Sequence, residues 1–369
     1  MASSIPKQMK AVQVVEYGKP YQISTVDVPS ELQPHDLLVK VAVASNCHTD
    51  GMVQEGAFGT KLPCTGSHEG SGTVVAAGHI AREKFGYKEG DRVMCGIMYG
   101  PCDSCADCLG DEPKVQYCQN IKGIVGVTID GAFAEYVRVD ARTTTKLPDA
   151  VTFLSAAPLA CAGRTIWRGV LQTGLKAGEW VVIVGSGGGL GHLGIQFAKA
   201  LGLKVIGVDA RDEGLELSKS YGADVVCDAR KGKEEVVKEV QAVTNGAGAD
   251  SSICISDHKD AVAISAACTK MHGILVQIAQ PETIALPFHE VIFRDIKIHG
   301  SLVCTQEESV SMLDCIAEHG VTVTTNPFEG LEKINELTEL AHGGKIKGKA
   351  VIVVDQAQIE HEKSIGAKL

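Results

Sequence analysis

At 369 residues, with 44% hydrophobic and 22% charged side chains, the chain has the composition of a folded protein of two or three domains and not of a disordered one. Its net charge of −10 offers no positive field for a phosphate backbone to follow, which argues against nucleic acid as a partner. No stretch reaches the roughly 18 apolar residues of a membrane helix, and the Met1–Lys7 segment has no apolar run behind its charge. The expectation is therefore an unsecreted protein with no membrane partner, whose thirteen cysteines are metal ligands and free thiols.

From Lys10 to about Val139 the chain reads as short β-prone runs, Lys10–Val15 and Leu37–Val43 among them, broken by glycine and proline turns. This predicts an irregular, mostly β domain. Within it Cys102, Cys105, Cys108 and Cys118 form C-x2-C-x2-C-x9-C. Four thiolates close a tetrahedral zinc shell and leave no position for substrate, so the site reads as structural. An iron–sulfur cluster shares the two-residue gaps, but the long last gap and the absence of proline after Cys118 favour zinc. A chance cluster of buried thiols is the weakest of the three readings.

Near Leu159 the character changes. The apolar run Trp180–Gly185, a helical stretch Leu190–Leu201 and a second strand Lys204–Asp209 begin an alternation of strands and helices that continues to about His299. That is the pattern of an α/β, doubly wound parallel sheet. Gly185, Gly187, Gly188, Gly189, Leu190 and Gly191 lie between the first strand and its helix, where glycines let the backbone approach a pyrophosphate held at the positive helix end. A turn that merely packs strand on helix is the plainer alternative. Asp209, 18 residues beyond Gly191, weighs against it, because a carboxylate at the end of the next strand can accept both ribose hydroxyls of adenosine and repel a 2′-phosphate. NAD is the expected cofactor, and Arg211, two residues on, keeps NADP open as the alternative.

The region Gly300–Asp355 carries helices and then a strand from Lys349. Beyond it Gln356–Gly366 is a polar extension with little reason to pack. Ala367-Lys368-Leu369 is similar to the peroxisomal address Ser-Lys-Leu, so the expected location is cytoplasmic with a peroxisomal alternative.

Read together, Cys47-His-Thr-Asp50, His68-Glu-Gly-Ser-Gly72, Gly90-Asp-Arg-Val93, the four-cysteine lobe, Asp130-Gly-Ala-Phe-Ala-Glu-Tyr136 and the glycine cluster resemble the medium-chain zinc alcohol dehydrogenases, in particular their microbial tetrameric branch, from about Lys10 to Asp355. The resemblance implies a GroES-like, zinc-binding catalytic domain over 1–162, a Rossmann dinucleotide-binding domain over 163–301, and a return to the catalytic domain over 302–369. It implies a catalytic zinc on Cys47, His68 and Cys161, a set that spacing alone does not single out. Two thiolates and one imidazole leave the fourth position of zinc open. Asp50 would orient His68, and Glu69 would stand behind the ligands. Thr49 would take the alcohol proton, and His48 and Lys349 would hold the pyrophosphate, although a plain surface role weighs equally for Lys349. With two zinc ions and NAD, such an enzyme passes a hydride between the nicotinamide and an alcohol, aldehyde or ketone. The resemblance also implies a homo-oligomer, tetramer or dimer.

Several residues depart from the pattern. After Asp50 the family usually places a residue and then a histidine that relays protons to solvent; here the pair is Gly51-Met52, and methionine has no titratable group. Gln54 and Phe58 stand near positions where related enzymes carry tryptophans, and the chain is shorter around Ile97-Met98-Tyr99, which predicts a roomier pocket and a substrate larger than ethanol. The last gap in the cysteine lobe is long, leaving Cys118 the least fixed of its ligands. Two other functions share the fold: a zinc-free, NADPH-dependent quinone or enoyl reductase, against which the Cys and His ligands count, and a non-catalytic NAD-binding sensor, which Met52 makes thinkable.

Overall fold

The computed structural model describes residues 5–369; the first four residues of the Met1–Lys7 segment lie outside the described residues. The chain forms two compact units. One joins the amino-terminal part through Ala162 to Cys304–Leu369, and the other is Gly163–Val303.

The first unit is built on a seven-stranded sheet whose longest member is Asp36–Ser45. All but one of that strand's residues are buried, as its near-continuous apolar sequence requires. Glu69–Ala77 runs antiparallel along one side of it, and Lys349–Val353 pairs antiparallel with its carboxyl-terminal half, Val351 opposite Ser45. Strand Lys349–Val353 thus reaches the same sheet end as Ser45 from more than 300 residues away. Val12, Leu37, Val39, Val41, Val93 and Phe133 belong to the core on this sheet. The runs at Lys10 and Leu37 appear as strands Gln8–Val14 and Asp36–Ser45.

The second unit is a six-stranded, wholly parallel sheet. From edge to edge its strands are Val225–Asp228, Lys204–Asp209, Trp180–Val184, Ala249–Cys254, Thr269–Gln277 and Lys297–Gly300. In chain order this is 3-2-1-4-5-6, the doubly wound arrangement, with the strand order reversing beside Trp180–Val184. That strand is almost wholly buried, which is why it reads as an unbroken apolar run and not an alternating one. Helix Gly191–Ala200 follows it through the glycine cluster.

The polar extension corrects an expectation. Gln356–Ser364 is a helix that buries Ile359 and Glu362 against the first unit. The Glu362 carboxylate accepts from the Arg92 guanidinium at 2.7 Å and from the Phe153 amide at 2.8 Å. Beyond the helix, the amides of Lys368 and Leu369 donate to the Ala150 carbonyl, and the Leu369 carbonyl accepts from Thr152. The segment packs because one buried acid and one isoleucine face inward, a pattern too sparse to stand out among its polar neighbours. Among the described residues no helix is long and apolar enough to cross a membrane.

Candidate active site and metal centres

Four residues from three stretches of the first unit converge. The ligand atoms of Cys47, His68, Glu69 and Cys161 all lie within 4.8 Å of one another. Cys47 follows the Asp36–Ser45 strand and opens helix His48–Gln54, while His68 and Glu69 stand at the start of the Glu69–Ala77 strand. Cys161 sits in Leu159–Gly163, a five-residue π-helical turn between two α-helices; such widened turns recur at functional sites.

The surrounding groups hold these side chains in place. Asp50 is buried; one carboxylate oxygen accepts from the Cys47 amide at 2.8 Å, and the other accepts from the Ser67 amide at 3.1 Å and lies 3.4 Å from His68 Nδ1. A carboxylate against Nδ1 leaves Nε2 as the ring nitrogen for a metal. Burial works against a His68 imidazolium, but Asp50 and Cys47 together outweigh it and raise the imidazole's pKa. The hydrogen bond between the two thiols draws Cys47 well below the ordinary cysteine range and drives Cys161 well above it.

Glu69 accepts from the Ala162 amide at 3.1 Å through one oxygen and pairs with Lys349 Nζ at 2.7 Å through the other. Burial pushes this carboxyl up to about 7 against the pull of Lys349. The surface alternative for Lys349 is therefore incorrect: its side chain is 6% exposed and turned onto Glu69. Its pairing with Glu69, beside the metal-ligand cluster, was not apparent from the sequence.

Thr49 lies partly buried, its Oγ1 4.0 Å from Cys47 Sγ, and His48 is exposed at the start of the helix. The imidazole of His342, a residue the sequence gave no reason to choose, lies beside Gly51: a Cβ added there would stand 3.4 Å from its Nε2. Gln54 donates to the Lys19 carbonyl at 2.6 Å, and Phe58 is exposed. Tyr99 is instead part of the core, its hydroxyl donating to Asp36 at 3.0 Å.

The second cluster brings Cys102, Cys105, Cys108 and Cys118 within the same 4.8 Å limit. A tetrahedral shell with zinc–sulfur bonds of about 2.3 Å places its sulfurs roughly 3.8 Å apart. Cys102 and Cys108 are 4.0 Å apart, and Cys118 Sγ also accepts from the Cys102 amide at 3.4 Å. Hydrogen bonding from Ser104 brings Cys102 down to about 5, while burial takes Cys108 up to about 12. Arg142 ties the lobe to the sheet through Asp140, Asp103 and the Pro101 carbonyl. Four thiols fit zinc with no open position; two thiols and an imidazole, with a carboxylate beside them, fit a zinc whose coordination is not closed by sulfur.

In the second unit, Gly185 adopts φ +95°, which L side chains rarely tolerate. A Cβ on Gly187 would come within 2.0 Å of the Gly214 carbonyl oxygen, so this glycine is needed for the turn to pack on helix Asp212–Ser220. Asp209 accepts from Gly187 at 2.9 Å through one oxygen and from Ala210 and Arg211 at 2.9 and 3.0 Å through the other. Three of about four acceptor sites are thus taken by backbone amides, which leaves one in this arrangement for a ribose hydroxyl. The Arg211 guanidinium folds over the turn and donates to the Gly187 carbonyl at 3.1 Å.

Residues 33–149 match the alcohol dehydrogenase GroES-like domain, and residues 189–318 match the zinc-binding dehydrogenase domain. An alcohol dehydrogenase of Geobacillus stearothermophilus is 35% identical over 351 residues, covering 94% of this chain and all of the relative. The crystal structure of the alcohol dehydrogenase from Aeropyrum pernix superposes with a TM-score of 0.84 at 31% identity, covering 93% of this chain and 99% of that one. A crystal structure described as an NAD-dependent alcohol dehydrogenase gives 0.83 at 26% identity, covering 94% and 100%. With near-complete coverage at this identity, the chain belongs to the medium-chain zinc-dependent alcohol dehydrogenase family.

Proposed function

We propose that the chain moves a hydride between NAD and an alcohol or aldehyde larger than ethanol, with Cys47, His68 and Cys161 as ligands of a catalytic zinc and the four-cysteine lobe as a structural zinc site. The observation that carries this is the convergence of two thiols, an imidazole and a carboxylate within 4.8 Å, from chain positions as far apart as 47 and 161. Zinc bound there supplies an electrophile that lowers the pKa of an alcohol hydroxyl or polarises a carbonyl. Asp50 orients His68 and keeps its other nitrogen available. Lys349 neutralises Glu69, so a second full negative charge is not buried beside the thiolates. Thr49 offers its hydroxyl next to Cys47 as the first acceptor of the substrate proton.

NAD is favoured by the Asp209 carboxylate at the strand end and by the likeness to an NAD-dependent relative. Gln54 and Phe58 put a flexible amide, held on the Lys19 carbonyl, and an exposed ring near positions where related enzymes carry tryptophans, which favours a substrate larger than ethanol. The same reading includes a homo-oligomer. Lys297–Gly300 is an edge strand with every residue exposed, and Met271, Phe288, Ile292 and Phe293 expose apolar surface on the same unit. A second copy pairing edge to edge would cover both. The test of function is a panel of alcohols and aldehydes assayed with NAD(H) and NADP(H) in parallel. Turnover of aromatic or oxygenated aldehydes with NADH, ahead of acetaldehyde, is expected; reduction of conjugated double bonds with NADPH alone would contradict the proposal.

A further inference from the structure

Ser67 joins the two arms of the metal-ligand cluster. It is fully buried and lies in the left-handed region, with φ 66°, a conformation that costs a non-glycine residue free energy and persists only where the surroundings enforce it. Each of its polar groups is engaged. Its amide donates to Asp50, the residue that also faces His68, and its carbonyl accepts from Ala132 at 2.7 Å. Its hydroxyl donates to the Ser45 carbonyl at 2.8 Å and accepts from the Glu69 amide at 3.2 Å.

Ser45 and Glu69 are the terminal pair of the ladder between strands Asp36–Ser45 and Glu69–Ala77. Beyond that pair the chains diverge, one toward Cys47 two residues on, the other back toward His68. A single hydroxyl therefore bridges the open end of the ladder where the two ligand arms separate. The backbone beneath it is closely packed: a Cβ on Gly131 would come within 2.1 Å of the Ser67 carbonyl oxygen, and one on Gly126 within 2.3 Å.

We propose that the Ser67 hydroxyl is a positioning group that fixes the spacing of Cys47 and His68 and so governs how firmly the catalytic metal is held. The proposal rests on the reading of Cys47, His68 and Cys161 as zinc ligands. It assigns the effect to the hydroxyl and not to the left-handed backbone, and two substitutions separate these. Ser67→Ala removes the hydroxyl and keeps the unfavourable conformation, whereas Ser67→Gly removes the hydroxyl and relaxes it.

The experiment is zinc release from the full chain to a chromophoric chelator, with thermal unfolding measured on the same samples. The cysteine-lobe zinc serves as the internal reference. Both variants are expected to release the catalytic zinc at least tenfold faster than wild type, with lobe zinc unchanged, although Ser67→Gly unfolds at a temperature equal to or above that of Ser67→Ala. Release from Ser67→Gly at the wild-type rate would overturn the proposal, as would equal acceleration at both sites. A wild-type protein holding zinc in the cysteine lobe alone would instead overturn the ligand reading itself, and the positioning role with it.

Discussion

At the scale of single residues, the catalytic reading depends on Cys161. Serine in its place removes a thiolate from the converging set and leaves the cysteine lobe untouched. Cys161→Ser is expected to bind one zinc where wild type binds two and to lose at least 100-fold in turnover; elemental analysis and steady-state kinetics check both. Asp209→Ala removes the carboxylate from the strand end and also leaves the amides of Gly187, Ala210 and Arg211 without their acceptor. Binding of both nucleotides should weaken, NAD by the larger factor, roughly tenfold or more for the lost bonds. Titration showing NADP affinity falling more than NAD affinity would contradict the assignment. Met52→His returns a titratable group to the first helix and is expected to raise alcohol oxidation severalfold near neutral pH. Repeating it in a His342→Gln background separates the new imidazole from the one already beside Gly51.

The residues also show where sequence reading reaches its limit. The cysteine lobe was legible because its ligands are close in sequence, so spacing alone encodes geometry. Cys161 was legible only through family resemblance, since nothing local distinguishes a cysteine in an apolar π-helical turn from a core thiol. Ser67 gave no signal at all, because a left-handed serine is a property of the backbone. For Lys349 the sequence offers a pyrophosphate role or a surface one and not its pairing with Glu69, because that pairing depends on the return strand lying against Asp36–Ser45.

At the scale of elements, the strand–glycine–helix order of the second unit could be read directly, since a parallel strand buried on both faces is a continuous apolar run. The Gln356–Ser364 helix could not, because its inward face consists of little more than Ile359 and Glu362. That helix carries a pH signature. Burial raises the Glu362 pKa above its ordinary value, outweighing the help of the Phe153 amide and Arg92. A raised carboxyl binds its proton more tightly folded than unfolded, so its contribution is full below the unfolded value and is lost as pH rises through the folded value. Glu362→Gln does not titrate. Its melting temperature should therefore gain on that of wild type as pH rises from about 4 toward neutrality, an expectation that follows from the ordinary carboxyl value of about 4.3. A variant that loses ground over this range would show that the Arg92 pair outweighs burial.

At the scale of the whole molecule, composition and element order were sufficient for a two-unit α/β protein, whereas the proposed pairing of two copies has no such signal. Met271, Phe288, Ile292 and Phe293, exposed on the same unit as the edge strand, come from segments that each look unremarkable in sequence. If two copies pair on this edge as proposed, wild type has the molar mass of an oligomer by light scattering and Phe288→Ser with Phe293→Ser lowers it; a monomeric wild type, or a mass unchanged by the substitutions, would contradict the proposal.

The most direct test of the central claim is turnover measured against bound zinc. NADH-linked aldehyde reduction is followed as a chelator removes metal and zinc is then returned. The account predicts that activity disappears with the loss of one zinc per chain, while the zinc of the four-cysteine lobe remains, and returns in proportion to the zinc rebound. Full activity in protein that retains only the lobe zinc would contradict it.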